Sequence, residues 1–206
     1  MTDRKLGGMF GNVALLDVSS LHPSSIENMN FFGPYTQKYS DIKKARIFIK
    51  HGQIEEARKC MDGALAPLLK EGDDAKSLAQ ALKIVINSTY GLTSAHFPTK
   101  FNDVGNGAND RNIENMVAKR GALFMLLLKQ KVMELGYVSV HVKTDSIKIA
   151  DADQYIVQFV MDFGKKYGYN FELEAIYDKM CIVNKATYIA HHCYGDDGHD
   201  AASHGG

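Results

Sequence analysis

Two aspartates at the ends of apolar strands constrain this chain more than any other feature. Val13-Ala14-Leu15-Leu16 is an unbroken apolar run, the pattern of a strand buried on both faces, and Asp17 ends it. Much later, Val138, Val140 and Val142 alternate with Ser139, His141 and Lys143, and Thr144-Asp145 turns the chain into Ser146-Ile147-Lys148-Ile149. That pattern predicts a hairpin with a carboxylate at its tip. Taken alone, an aspartate after a strand is usually a turn or cap residue. A carboxylate held against a core is costly unless its charge is compensated, and two that face each other repel. A divalent cation relieves that repulsion. Two cations held about 3.5–4 Å apart equip a site for in-line phosphoryl transfer.

Between the two aspartates the chain reads as helical. Pro23-Ser24-Ser25 looks like a helix start, with proline early and serine as cap. Helices are expected at about 40–51, 53–71 and 74–90, separated by His51-Gly52 and Gly72-Asp73, with the last two forming a helical hairpin. Arg46 and Lys50 are spaced i, i+4, and Lys83, Asn87 and Tyr90 fall at i, i+4, i+7, so each set shares a helix face. Such a stripe is ordinarily only a solvated surface. Residues 99–112 form a polar loop whose Gly105-Asn106-Gly107 lacks a preceding strand, which argues against a dinucleotide site. No P-loop pattern occurs anywhere in the sequence.

A long helix is expected over about 112–135, stopped by Gly136. Its stretch Ala122–Leu128 is apolar all round, which predicts deep packing beneath a sheet. An amphipathic helix at 152–167, closed by Gly168, then leads into strands at 171–176, 180–183 and 187–190. The expected class is therefore α+β: an antiparallel sheet backed by helices, with a helical insertion.

Lys+Arg and Asp+Glu both number 24 among 206 residues, so the formal net charge is zero. Any contact with nucleic acid is then local rather than a broad basic surface. Three cysteines, Cys60, Cys181 and Cys193, have no framework spacing and fit free thiols in a reducing compartment. No apolar stretch approaches the length of a membrane span and no signal-peptide core follows the N-terminus, so a soluble, cytoplasmic protein is expected. His191, His192, Cys193, His199 and His204 lack structural-zinc spacing, and residues 195–206 read as a disordered tail.

Taken together, Asp17-x-x-Ser20-Leu21-x-Pro23-Ser24, then Lys83-x-x-x-Asn87-Ser88-x-Tyr90-Gly91, then Thr144-Asp145-Ser146 in a hairpin resemble the three signature regions of family B DNA polymerases. The likeness is especially to those encoded by tailed bacteriophages, and it runs from about Asn12 to about Tyr188. It implies a polymerase palm at 1–26 and 96–194 with helical fingers at 27–95. It also implies template-directed DNA synthesis from deoxynucleoside triphosphates on primer-template DNA, in the cytoplasm of an infected host cell if the source is viral. By the same resemblance Asp17 and Asp145 are catalytic and hold two Mg²⁺ ions, for which Mn²⁺ substitutes, with the Val18 backbone and Glu174 close by. Glu174 reads equally as a solvent-facing strand residue.

The resemblance places Ser20, Leu21, His22, Arg46, Lys50, Lys83, Asn87, Tyr90 and Gly91 at the incoming nucleotide, and Lys185 and Tyr188 at the primer-template duplex. Several positions depart from the family pattern. Lys143 stands where the family carries the outer acid of Asp-Thr-Asp, and His22 stands where it carries a tyrosine. Two basic positions before Tyr188 are Ala186 and Thr187. The exonuclease and thumb of related polymerases have no room in this sequence. Those domains or other replication proteins are therefore expected as partners, and the chain reads as an excised piece or a minimal form. The alternative is a catalytically silent palm-like module that binds DNA or a replication partner; Lys143 and the zero net charge favour it, while Asp17, Lys83, Asn87 and Asp145 oppose it.

Overall fold

The computed structural model describes residues 8–70, 74–93, 115–184 and 187–194. The chain divides into two compact units, one from Met1–Leu21 and Gly121–Gly206, the other from His22–Arg120. The architecture is α+β.

The first unit is built on an antiparallel sheet of five strands. In chain order these are β1 (Met9–Val18), β2 (Val138–Val142), β3 (Ser146–Ala150), β4 (Phe171–Ile182) and β5 (Tyr188–Tyr194). Their spatial order is β2-β3-β1-β4-β5, which puts β1 in the centre. That position explains the unbroken apolar run Val13–Leu16: a central strand needs both faces apolar. Ala14, Leu16 and Val18 face one core with Ile147, Ile149 and Phe171, while Val13 and Leu15 face another with Val140, Ala175 and Tyr177. The expected hairpin is present as β2 and β3. The separate strands expected at 171–176 and 180–183 are one continuous strand, β4. Nothing in the intervening Tyr177-Asp178-Lys179 forces a turn, and Tyr177 pairs with Val13 in mid-ladder.

Two helices pack on the β1 face that carries Leu16. They are α5 (Met116–Glu134), stopped near Gly136 (φ +88°), and α6 (Gln154–Lys166), stopped near Gly168 (φ +80°). Asp153 caps α6 by accepting a hydrogen bond from the Ile156 amide at 2.9 Å. The expectation that Ala122–Leu128 is packed on all sides is corrected. Phe124, Met125, Leu128 and Val132 meet the sheet, whereas Leu123 and Leu126 are 66% and 58% exposed. A helix lying on one sheet can bury only one face of itself.

Gly164 is where α6 approaches β4 most closely. A Cβ there would lie 2.6 Å from the Phe171 ring and 2.8 Å from the Tyr169 carbonyl oxygen. Both neighbours are held, the ring in the core and the carbonyl in the backbone. Gly164→Ala should therefore lower stability by about 1–3 kcal/mol, the range for overpacking. Denaturant unfolding checks this, and a midpoint equal to the wild type would show that the helix shifts freely.

The second unit is helical. It contains most of α1 (Leu21–Asn28), then α2 (Thr36–Lys50), α3 (Ile54–Lys59) and α4 (Ala75–Thr93). Helix α1 starts at Leu21 rather than at Pro23, and Ser24 and Ser25 are buried inside it instead of capping it. Ser24 Oγ accepts from Lys43 Nζ at 2.9 Å, and Lys43 also pairs with Glu27 at 2.6 Å, tying α1 to α2.

The expected helix over 53–71 is broken. After Lys59 the chain passes through Met61 and Asp62 at φ +53° and +56°, and Gly63 at φ +81°. The sequence 60–68 then winds only as short 3₁₀ turns, which ends regular α-helix there. Helix α4 accordingly packs against α2 and not in a hairpin with the second helix. Ala45, Ile49 and Leu82 share one apolar cluster, and Tyr39 and Ile86 share the next. Early α2 thus meets late α4, so the two run antiparallel. Among the described residues no helix is long and apolar enough to cross a membrane.

Candidate active site

In the first unit, β1 and β3 bring the two aspartates together. The register pairs Asp17 with Ser146, so Asp145 stands diagonally beside Asp17. The Val18 amide donates to the Asp145 carbonyl oxygen at 2.8 Å, which locks the end of β1 to the hairpin tip. The side chain of Val18 is buried, leaving only its backbone as a candidate ligand. On the other side of β1, Glu172 is the register partner of Asp17.

The β1–β4 register shifts between Leu15 and Leu16, which pair with Ala175 and Leu173, so Glu174 is the extra residue of a β-bulge. A bulge re-aims a side chain, and the Glu174 carboxylate acts on Asp17 more strongly than Glu172 does. Burial first, then the charges of Asp145 and Glu174, push the Asp17 carboxyl up to about 7; Lys148 opposes them. This is a carboxylate cluster whose mutual repulsion Lys148 offsets only in part.

Hard oxygen donors of this kind suit Mg²⁺, which keeps several waters and is commonly held by one or two carboxylates plus substrate phosphates. Asp17 and Asp145, with the Val18 carbonyl, would be the donors to such an ion. Among the described residues no group of three or more His, Cys, Asp or Glu side chains could hold a metal by itself. Glu174 therefore contributes charge to the cluster without completing a closed cage.

Lys148 is the residue of this site that sequence reasoning passed over. It follows Ser146 by two positions on β3 and so lies on the same sheet face as Asp17. It is only 3% exposed. Its Nζ lies 4.7 Å from the centre of the Tyr188 ring, a cation–π contact. Burial lowers its pKa and the neighbouring Lys143 charge lowers it further, against Tyr188, Asp17 and Glu174. The Tyr188 side chain is also hydrogen-bonded to Tyr177. Lys185 lies outside the described residues. His191 pairs with Asp178 at 2.8 Å, away from the aspartate pair in register.

The expected nucleotide residues lie in the turn before α1, which belongs to the first unit, and on α1, α2 and α4. Ser20 takes φ +65°, a left-handed conformation that redirects the chain from β1 into α1 within two residues. Leu21 belongs with the first unit: its side chain packs against Gly121 in the sheet core, so only its backbone could meet a ligand. His22 and Tyr90 are brought into direct contact, with ring centroids 3.8 Å apart and planes within 4°.

Arg46, Lys50, Lys83 and Asn87 each stand one residue after a buried apolar one: Ala45, Ile49, Leu82 and Ile86. One residue is a turn of about 100°. On antiparallel helices that step carries both sets to the same side of the pair. Lys50, Lys83 and Asn87 are exposed and Arg46 is half-buried. Tyr90 turns instead toward the cluster of Ile26, Tyr39 and Ile86. Gly91 lies in the last turn of α4, with nothing within 4 Å of where its Cβ would be. Packing therefore does not require glycine there.

Among the solved structures that share this fold is the family B DNA polymerase from the hyperthermophilic archaeon Pyrobaculum calidifontis, with a TM-score of 0.59 and 14% sequence identity. The match covers 91% of this chain and 26% of that chain, so the present sequence spans about a quarter of the neighbour's length. At that identity the likeness is one of fold. No family model matches the sequence, and no curated protein matches it either.

Proposed function

We propose that this chain is the palm and fingers of a DNA-directed DNA polymerase of family B, of the kind found in tailed bacteriophages. The observation that carries the reading is the Asp17–Asp145 pair. Two carboxylates from distant parts of the sequence, one at the end of β1 and one at the tip of the β2–β3 hairpin, are brought side by side, and Asp17 is pushed up to about 7 by burial and like charge. Perturbation of that kind, in a cluster of acids, marks functional sites.

In this reading Mg²⁺, held by Asp17, Asp145 and the Val18 carbonyl, supplies charge neutralisation at the transferring phosphorus and activation of a primer hydroxyl. The side chains on the α2–α4 pair, Arg46, Lys50, Lys83 and Asn87, hold the triphosphate of a deoxynucleotide. His22 and Tyr90, stacked on each other, form one wall of the nucleotide pocket, and Gly91 lets the ligand approach closely. Tyr188 contacts the primer-template duplex, and Lys185, outside the described residues, takes the same role by its sequence motif. Little covalent chemistry is left to the protein, so positioning and electrostatics dominate.

The test is primer extension on a defined template in Mg²⁺ or Mn²⁺. Templated extension supports the reading; binding of primer-template without extension supports instead a silent palm-like module. Lys143 in the acid position and the zero net charge favour that second reading.

His22 gives a further expectation. An imidazole makes a lower wall than a phenol, and it has a donor and an acceptor that could satisfy a ribose 2′-hydroxyl. His22→Ala should raise the ratio of kcat/KM for ribonucleotides over deoxyribonucleotides, and His22→Tyr should lower it, each by about tenfold, the scale of one small group in a pocket. A ratio unchanged in both variants would remove His22 from the sugar.

A further inference from the structure

Lys148 is a buried ammonium with no anion of its own. Among the described residues it makes no hydrogen bond and no ion pair within 4 Å; its contact is with the face of the Tyr188 ring. The acids nearest in charge effect, Asp17 and Glu174, act on it only through space. A lysine has three donors and no acceptor, and burying an ammonium without an anion is unfavourable. An internal counter-ion for Asp17 would be drawn into hydrogen-bond distance, and Lys148 is not. The exposed Lys143, across the hairpin on β2's side of the turn, adds a second positive charge that Lys148 feels.

We propose that Lys148 is a phosphate-binding residue, its Nζ donating to a nonbridging phosphate oxygen of a nucleic-acid strand or nucleotide that lies over Tyr188 toward Asp17. The proposal rests on the polymerase reading above and deepens it by assigning a cation that the sequence motifs do not contain. A phosphate is the anion that fits. It arrives with the substrate, it presents oxygens to an ammonium, and its own charge is offset by Lys143 and Lys148 together where Asp17 and Asp145 would repel it. The Tyr188 ring, 4.7 Å from Nζ, steadies the ammonium through the cation–π contact.

The experiment compares the full chain with Lys148→Met, which keeps the apolar stem and side-chain length. Duplex DNA binding is measured by fluorescence anisotropy without nucleotide over a series of salt concentrations. Binding of a non-hydrolysable deoxynucleoside triphosphate is measured in parallel. A strand phosphate bound by Lys148 requires the slope of log Kobs against log[salt] to become shallower by about 0.9 in the variant, the value for one phosphate contact. An unchanged slope with about tenfold weaker nucleotide binding assigns the same contact to the triphosphate. An unchanged slope with unchanged nucleotide binding overturns the proposal while leaving the polymerase reading intact. If the wild type binds neither ligand, both fall. Circular dichroism of the variant establishes that the sheet is kept, and a merely structural role would not move the salt slope.

Discussion

Asp17→Asn and Asp145→Asn should each lower kcat for nucleotide addition by about 10³-fold or more, because each removes charge from the point where charge develops in the reaction. The same Asp17 substitution should stabilise the protein at alkaline pH in metal-free buffer. The Asp17 carboxyl is pushed from 3.8 up to about 7. The folded state therefore binds this proton more tightly than the unfolded state does. Its favourable contribution is complete below pH 3.8 and is lost as pH rises through 7. Above that, the wild type carries a repelled carboxylate that asparagine lacks. Thermal unfolding without metal should show Asp17→Asn above the wild type at pH 8 and level with it near pH 4. Added Mg²⁺ should close the gap at pH 8 by stabilising the wild type. A variant with near-normal turnover would remove that aspartate from the chemistry, and a wild-type Tm indifferent to Mg²⁺ would argue against a metal at the pair.

Lys83→Ala is expected to lower kcat/KM for the deoxynucleotide by about 10²-fold, the scale of one charge contact to a transferring phosphoryl group. Lys83 is exposed on α4, one helical turn before Asn87, on the side of the α2–α4 pair that also carries Arg46 and Lys50. Kd for duplex DNA should change little. Steady-state kinetics with varied nucleotide, set beside anisotropy with labelled duplex, separates the two. Equal losses in both would place Lys83 on a DNA-contacting surface.

Much of this site was legible in the sequence because strands and turns announce themselves. Alternation of Val138, Val140 and Val142 and the apolar run before Asp17 placed both aspartates at strand ends, and the β1–β3 ladder joins them. Gly136 and Gly168 mark helix ends at left-handed backbone that other residues adopt only with strain. Other features needed coordinates. Lys148 sits between Ile147 and Ile149 in an alternating strand, the place where a lysine normally points to water; only its burial and its contact with Tyr188 reveal it. Glu172 and Glu174 exchange importance through a one-residue bulge, which no periodicity encodes. The break after Lys59 depends on Met61 and Asp62 adopting positive φ, a conformation rare for methionine and uncommon even for aspartate. Leu123 and Leu126 belong to a run whose composition is the same on its buried and exposed sides.

Single-nucleotide primer extension bears most directly on the central claim. A labelled primer annealed to a template is incubated with the full chain, Mg²⁺ and each deoxynucleoside triphosphate in turn. The account requires addition of the complementary nucleotide in preference to the other three, and loss of that addition in Asp145→Asn. Failure to extend with every nucleotide in both Mg²⁺ and Mn²⁺, by protein that binds the primer-template, would contradict it.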